Sequence, residues 1–302
     1  MKHLSSKYLF LEFMSNTGSR KIGAILSIKK LYIIFIVAFI LLGCGTNPLT
    51  GQRTMAFIPN SQLFAMSAEA HRDFINENTV VTGTPEAEML SRVGWRLVEA
   101  TQKWMAAQGR PNDIADFPWS FTLIQDNTIN AWVMPGGKIV FYTGILPLTQ
   151  NEDGIAVVMG HEIAHAVLNH GQQRMSASLL QQFGLAGLSI FMEGAGSSPE
   201  LTAVTMTAFG VGSTLLGTLP FSRRNEDEAD HLGLILMAIA GYNPYEAVSF
   251  WERMNALGGS SPPQWLSTHP SHPHRINNLR QSIPEAKRVA AEFGVHQPRS
   301  SH

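Results

Sequence analysis

Apolar and polar positions change period several times along the chain. From Ser61 onward, Leu63, Phe64, Met66 and Phe74 recur at mixed three- and four-residue spacing, which predicts a helix. A second helix is predicted over residues 85–107, where Met89, Leu90, Val93, Leu97, Val98 and Trp104 trace one stripe. Gly109-Arg110-Pro111-Asn112 breaks that pattern, and the texture becomes that of strands. Residues 119–124, 131–134 and 138–142 are short aromatic and β-branched runs, the last two joined by Pro135-Gly136-Gly137. Pro135 has no N–H to give a ladder, so this hairpin is expected at a sheet edge. A free edge can take up an extended polypeptide as an added strand, or the hairpin can simply close the core; both readings stand.

Helical spacing then resumes. An apolar helix runs through residues 155–168, with Thr149 and Glu152 as its capping box and Gly171 as its stop signal. Ser222 is expected to cap another that ends at Gly241, and Asn243-Pro244-Tyr245-Glu246 opens one more ending near Gly258. The fold class is therefore α+β, mainly helical, with a small sheet.

The first of these late helices carries chemistry. In His161-Glu162-Ile163-Ala164-His165 the two histidines are one turn apart and project from one face, where both can hold one ion. Glu162 lies beside them in the His-Glu-x-x-His order, in which two imidazoles bind zinc and the carboxylate serves as general base. Apolar flanks strengthen this, because buried imidazoles and a buried carboxylate are costly without a partner. The metzincin continuation is excluded, since Leu168 and Gly171 stand where it needs a glycine and a third histidine. His170 is about 140° from the metal face of an uninterrupted helix and reads as a helix-end residue. The third ligand must come from elsewhere. Glu226 and Asp230, four apart near the start of the 222–241 helix, supply it: Glu226 as ligand, Asp230 as acceptor for an imidazole N–H. Glu228 falls on another face and is expected in solvent, and His71 reads as a surface or packing residue.

Composition then bounds the setting. With 302 residues, 44% hydrophobic and a net charge of -1, the chain can build one sizeable core and has no basic excess for nucleic acid. Residues 1–30 carry Lys2, Lys7, Arg20, Lys21, Lys29 and Lys30 against Glu12, and residues 31–42 are an uncharged apolar run. That run is short for a spanning helix of about 20 residues and suits a signal-peptide core, with an uncleaved anchor as the alternative and Met14 as an alternative start. Leu41-Leu42-Gly43-Cys44 resembles a bacterial lipobox, and Cys44 is the sole cysteine, which makes it a candidate lipidation site. The division expected is a signal peptide over 1–43, an exposed lipidated tether over 44–60, a catalytic domain over 61–297 and a disordered tail over 298–302. By resemblance to sorted bacterial lipoproteins, Gly45 in place of an aspartate implies the outer membrane over the inner, on the periplasmic side. Two uncharged tracts, 176–192 and 201–221, either dip into a bilayer or pack over the cleft; their Gly, Ser, Thr and Gln content favours packing.

Taken together, His161-Glu162-x-x-His165, Glu226-x-x-Ala229-Asp230 and Asn130-Ala131-Trp132-x-x-Pro135-Gly136-Gly137 resemble one zinc metallopeptidase family. It includes HtpX, the CAAX prenyl proteases, Oma-type proteases and the periplasmic BepA-like and LoiP-like enzymes. Ser267-Thr268-His269-Pro270 with Arg275 resembles its late Thr-His-Pro motif. The resemblance, over roughly residues 61–285, implies a gluzincin-type zincin core whose edge strand borders the cleft, one Zn2+ per chain on His161, His165 and Glu226, and Glu162 as base. It implies substrate contacts at Asn130, Ala131, Trp132, Pro135 and Gly136, and places His269 either as oxyanion stabiliser or in the fourth zinc position. Neither the multi-span membrane domain of the prenyl proteases nor the helical repeats of BepA-like proteins are expected in this chain. The activity implied is a zinc endopeptidase of the bacterial envelope acting on extended or misfolded polypeptides in quality control. The rival reading is a chaperone-like or scaffold lipoprotein with a closed zinc site, and assembly partners are left open.

Overall fold

A computed structural model of the chain describes residues 44–47, 49–55, 58–194, 198–200, 203, 219–257, 263–270 and 274–299. The expected signal peptide, most of the second uncharged tract, His272 and residues 300–302 lie outside the described residues. In chain order the elements are β1 (Cys44–Thr46), β2 (Arg53–Met55), α1 (Asn60–Glu77), β3 (Val80–Val81), α2 (Pro85–Ala107), β4 (Ser120–Ile124), β5 (Ala131–Met134) and β6 (Lys138–Tyr142). There follow α3 (Leu146–Thr149), α4 (Glu152–Val167), α5 (His170–Gly194), α6 (Leu219–Ile239), α7 (Glu246–Ala256), α8 (Gln264–Thr268) and α9 (Arg275–Glu292). The molecule is mainly helical with one small mixed sheet and a separate two-stranded ribbon.

The sheet runs β3-β4-β6-β5, with β4 and β6 parallel and the outer pairs antiparallel. Its β5–β6 hairpin sets Ala131 opposite Phe141 and Met134 opposite Lys138, and Gly136 and Gly137 turn the chain at φ 84° and 82°. Strand β5 is at the edge, as its proline predicts. α2 behaves as its stripe requires: Thr84 caps it by accepting from Ala87 N, Pro85 opens it, and Leu90, Val93, Leu97 and Val98 are buried. In α1, Leu63 is buried but Met66 is exposed, so the apolar stripe there is narrower than its spacing predicts.

Helix α4 is the centre of the molecule. Every residue from Gly154 to Val167 is buried, between α2, the sheet, α6 and α7. Its start differs from the expected capping box. Asn151 is the cap and accepts from Gly154 N at 3.0 Å, while the Thr149 hydroxyl closes α3 on Leu146 O. Its end differs too. Asn169 turns the chain at φ 56°, so α4 stops before Gly171, which belongs to α5. The closest helix crossing is with α6, where Gly160 and Gly233 meet backbone to backbone. A Cβ on Gly233 would sit 2.8 Å from Gly160 C and from His161 N, and one on Gly160 would sit 2.9 Å from Gly233 O.

Further boundaries depart from expectation for physical reasons. α6 begins at Leu219, so Ser222 falls within the helix and not at its start. Asn243 accepts from Tyr245 N at 3.2 Å, capping a turn that precedes α7, and Glu246 occupies that helix's first turn. The segment expected as an exposed tether is folded back: β1 pairs with β2, buried Asn47 donates from Nδ2 to Leu168 O at 3.2 Å, and Gln172 Nε2 donates to Ile58 O at 2.6 Å. The expected disordered tail is held as far as Arg299, whose N–H bonds Gly241 O at 2.8 Å. The first uncharged tract lies within α5. Among the described residues no helix is long and apolar enough to cross a membrane.

Candidate metal centre

His161 and His165 leave one face of α4, and the tight Gly160–Gly233 crossing lets α6 bring Glu226 and Asp230 against them. Glu226, Asp230 and Gly233 are four and three residues apart, which places them along one stripe of α6. His269 arrives at the end of α8, a short turn pinned at both ends: Trp265 N bonds Ile129 O at 3.1 Å and His269 N bonds Trp265 O at 2.8 Å.

Four side chains then converge. His161 Nε2 lies 3.0 Å from His165 Nε2, 3.2 Å from His269 Nδ1 and 3.2 Å from Glu226 Oε2. Glu226 Oε1 lies 3.3 Å from His165 Nε2 and 3.2 Å from His269 Nδ1. All four residues are buried. Zinc with nitrogen and oxygen ligands at about 2.0–2.1 Å in a tetrahedron sets neighbouring donors about 3.3 Å apart, and these separations fit. The lone pairs of imidazole nitrogens held this close, away from water, repel unless a proton or a metal ion lies between them.

Around this cluster each ligand is oriented by a neighbour. The Nδ1–H of His161 points at Asp230 Oδ1, 2.9 Å away. Asp230 is held in turn by Arg275 Nη2 at 2.6 Å, and Arg275 Nη1 reaches Glu226 Oε2 at 3.3 Å. The guanidinium is itself buried and lies over the Trp251 ring at 3.8 Å. His165 Nδ1 lies 2.8 Å from His170 Nδ1, and His170 Nε2 lies 3.2 Å from Glu228 Oε2. Two expectations are corrected here. His170 opens α5 and is fully buried, because the turn at Asn169 folds it back onto His165; it does not end the metal helix at the negative pole of its dipole. Glu228 is drawn in by His170, its side chain 15% exposed.

Electrostatics follow the geometry. Burial opposes a charge on His161, yet the Glu226 and Asp230 carboxylates outweigh it and raise its pKa to about 9. Burial holds His165 well below the usual histidine range, with His161 adding to the effect, and burial also lowers His170. Burial works against the Glu226 charge, but His165 and His161 hold its carboxyl well below the usual range. Asp230 is likewise lowered against burial, first by Arg275.

Glu162 is buried beside the cluster. Its Oε1 accepts from Trp265 Nε1 at 3.3 Å and lies 3.4 Å from His269 Nε2, while buried Oε2 has no hydrogen-bond partner among the described residues. Trp265, stacked on Trp251 at 5.2 Å between ring centroids, is a residue that the sequence motifs do not single out. His71 is buried, 3.3 Å from the Thr122 hydroxyl, and takes no part in the cluster.

The edge-strand residues line the approach. Val133, Met134 and Pro135 share a small cavity with His165. Asn130 is buried with Oδ1 unpaired among the described residues, its carbonyl accepting from Tyr142 N at 3.1 Å. Ala131 is buried, Trp132 Nε1 meets the Tyr142 hydroxyl at 3.3 Å, and Gly136 lies against the Phe64 ring.

Comparison with known proteins agrees with this construction. The profile described as peptidase family M48 matches residues 95–283. The chain is similar to the mitochondrial metalloendopeptidase OMA1 of Schizosaccharomyces pombe, 38% identical over 176 residues, 58% of this chain and 49% of that protein. To the protein of the same name in Saccharomyces cerevisiae it is 32% identical over 218 residues, 68% of this chain and 58% of that one. To the beta-barrel assembly-enhancing protease of Escherichia coli it is 32% identical over 170 residues, 54% of this chain and 34% of that protein. The chain spans about half the length of the OMA1 relatives from the two yeasts. With the profile covering more than half of its residues and a buried His/His/Glu/His cluster of zinc-binding chemistry at its centre, the chain belongs to peptidase family M48, the zinc metallopeptidases.

Proposed function

We propose that this protein is a zinc-dependent endopeptidase with a gluzincin-type zincin core, and that it cleaves extended polypeptides laid along strand β5. The observation that carries the proposal is the buried convergence of His161, His165, Glu226 and His269, with the unpartnered Glu162 Oε2 beside it. Zinc held by His161, His165 and Glu226 would supply Lewis acidity, polarising a carbonyl and acidifying water. Glu162 takes the proton from the attacking water and hands it to the leaving amine; Oε2 has the reach and no competing bond, and Trp265 steadies Oε1. Asp230 and Arg275 fix the His161 ring and the Glu226 carboxylate. Peptide backbone meets the open side of β5, with Asn130, Ala131, Trp132, Pro135 and Gly136 forming the wall and the unpaired Asn130 Oδ1 offering one more acceptor.

The cell-envelope setting belongs to the same proposal. It is supported by the Leu41-Leu42-Gly43-Cys44 sequence, which suits lipid attachment at Cys44 on the periplasmic side, the outer membrane preferred. The similarity to a bacterial beta-barrel assembly-enhancing protease supports quality control of envelope proteins as the role. A second reading, a chaperone-like or scaffold lipoprotein with a closed zinc site, is favoured by one observation: His269 Nδ1 stands at the fourth corner of the cluster.

Glu162→Gln decides between them. Zinc content should stay at one per chain while cleavage of unfolded casein drops by at least about 100-fold. Undiminished cleavage would overturn Glu162 as the base, a parent protein that cleaves no casein would overturn the endopeptidase reading, and full function of the variant in the cell would favour the scaffold.

A further inference from the structure

We infer that His170 is a positioning residue for the metal: it accepts the Nδ1–H of His165, and Glu228 holds it in the tautomer that can accept. The inference rests on the zinc reading above. His165 offers Nε2 to the cluster, so its ring proton must sit on Nδ1. That nitrogen lies 2.8 Å from His170 Nδ1, at normal hydrogen-bond length. His170 can accept there only if its own proton is on Nε2, and this atom faces Glu228 Oε2 at 3.2 Å. A carboxylate only accepts, so the order of donors along His165, His170 and Glu228 is fixed from its outer end.

Three further observations carry this. His170 is 0% exposed, so bulk solvent does not reach its nitrogen to compete as acceptor. The other Glu228 oxygen faces Arg224 Nε at 3.8 Å, an ion pair longer than a hydrogen bond that favours the ionised, acceptor-only carboxylate. The partner ligand is served differently, since His161 Nδ1 meets the Asp230 carboxylate directly at 2.9 Å. Each imidazole ligand thus has its own acceptor, one a carboxylate and the other an imidazole backed by a carboxylate. His170 lies five residues after His165 yet faces it only because Asn169 reverses the chain at φ 56°.

The test is zinc affinity of the full chain, read by competition with a chromophoric chelator. His170→Leu, which fills space without an acceptor, should weaken zinc about 10–100-fold. His170→Asn, whose Oδ1 takes the place of Nδ1, should stay within about threefold of the parent. Glu228→Leu against Glu228→Gln gives a second pair at a partly exposed position, and again the variant without an acceptor should be the weaker binder. Equal affinities within each pair, or an unchanged His170→Leu, would overturn the relay while leaving the zinc reading intact. A parent protein that binds no zinc would overturn both.

Discussion

At the scale of the residue, His269 is the one whose role the geometry narrows. Its Nδ1 stands among the ligand atoms at 3.2 Å from His161 Nε2, and its Nε2 turns toward Glu162. An oxyanion donor would face the substrate side; a corner ligand blocks it. His269→Ala is therefore expected to retain zinc, to raise casein cleavage severalfold and to give cobalt-substituted protein a more water-like absorption spectrum. A fall of about 100-fold would instead assign His269 to the oxyanion. His161 carries a pH prediction. With no ion bound its pKa is raised from 6.5 to about 9, so below that value a proton occupies the site that zinc needs. Zinc affinity should rise about tenfold per pH unit between 6.5 and about 9 and level off above, which chelator competition across that range will show. His161, His165 and Glu226 could be proposed from spacing, because four residues on a helix is a metal-binding interval, whereas His269 came only with the resemblance of its Thr-His-Pro motif. His170 and Glu228 could not, because their pairing depends on a turn at a non-glycine residue that no local pattern announces.

At the scale of the element, the α4–α6 crossing sets how far Glu226 stands from the histidines. Gly233→Ala places a Cβ 2.8 Å from backbone atoms of Gly160 and His161, where no rotamer change can relieve it. We expect a loss of about 1–3 kcal/mol in chemical denaturation, with weaker zinc binding. Strands β5 and β6 appear where the alternation of apolar residues and the Pro135-Gly136-Gly137 turn put them, and α2 matches its stripe and cap. Helix starts were harder to read, since Asn151, two residues past Thr149, competes for the same role and wins by meeting Gly154 N. The glycine pair was illegible for a different reason: small residues in a helix look like weak helix formers until the partner helix is known.

At the scale of the whole molecule, the β1–β2 ribbon joins the body beside the end of α4. Leu168 O receives both Asn47 Nδ2 at 3.2 Å and Gln173 Nε2 at 2.9 Å, so Asn47→Ala removes one of two bonds and leaves no orphaned carbonyl. A cost of about 1 kcal/mol is expected, seen as faster amide exchange in the ribbon with the sheet unchanged. Nothing in the turn-rich sequence of this segment foretold the attachment, which depends on a carbonyl that exists only once α4 has ended. The ribbon also has a geometric consequence. Asn47 stands only three positions past Cys44, about 10 Å of extended chain. If acyl chains hold Cys44 at a bilayer, the enzyme is on a very short leash, and proteins emerging at that surface come within its reach while those far out in the aqueous phase do not.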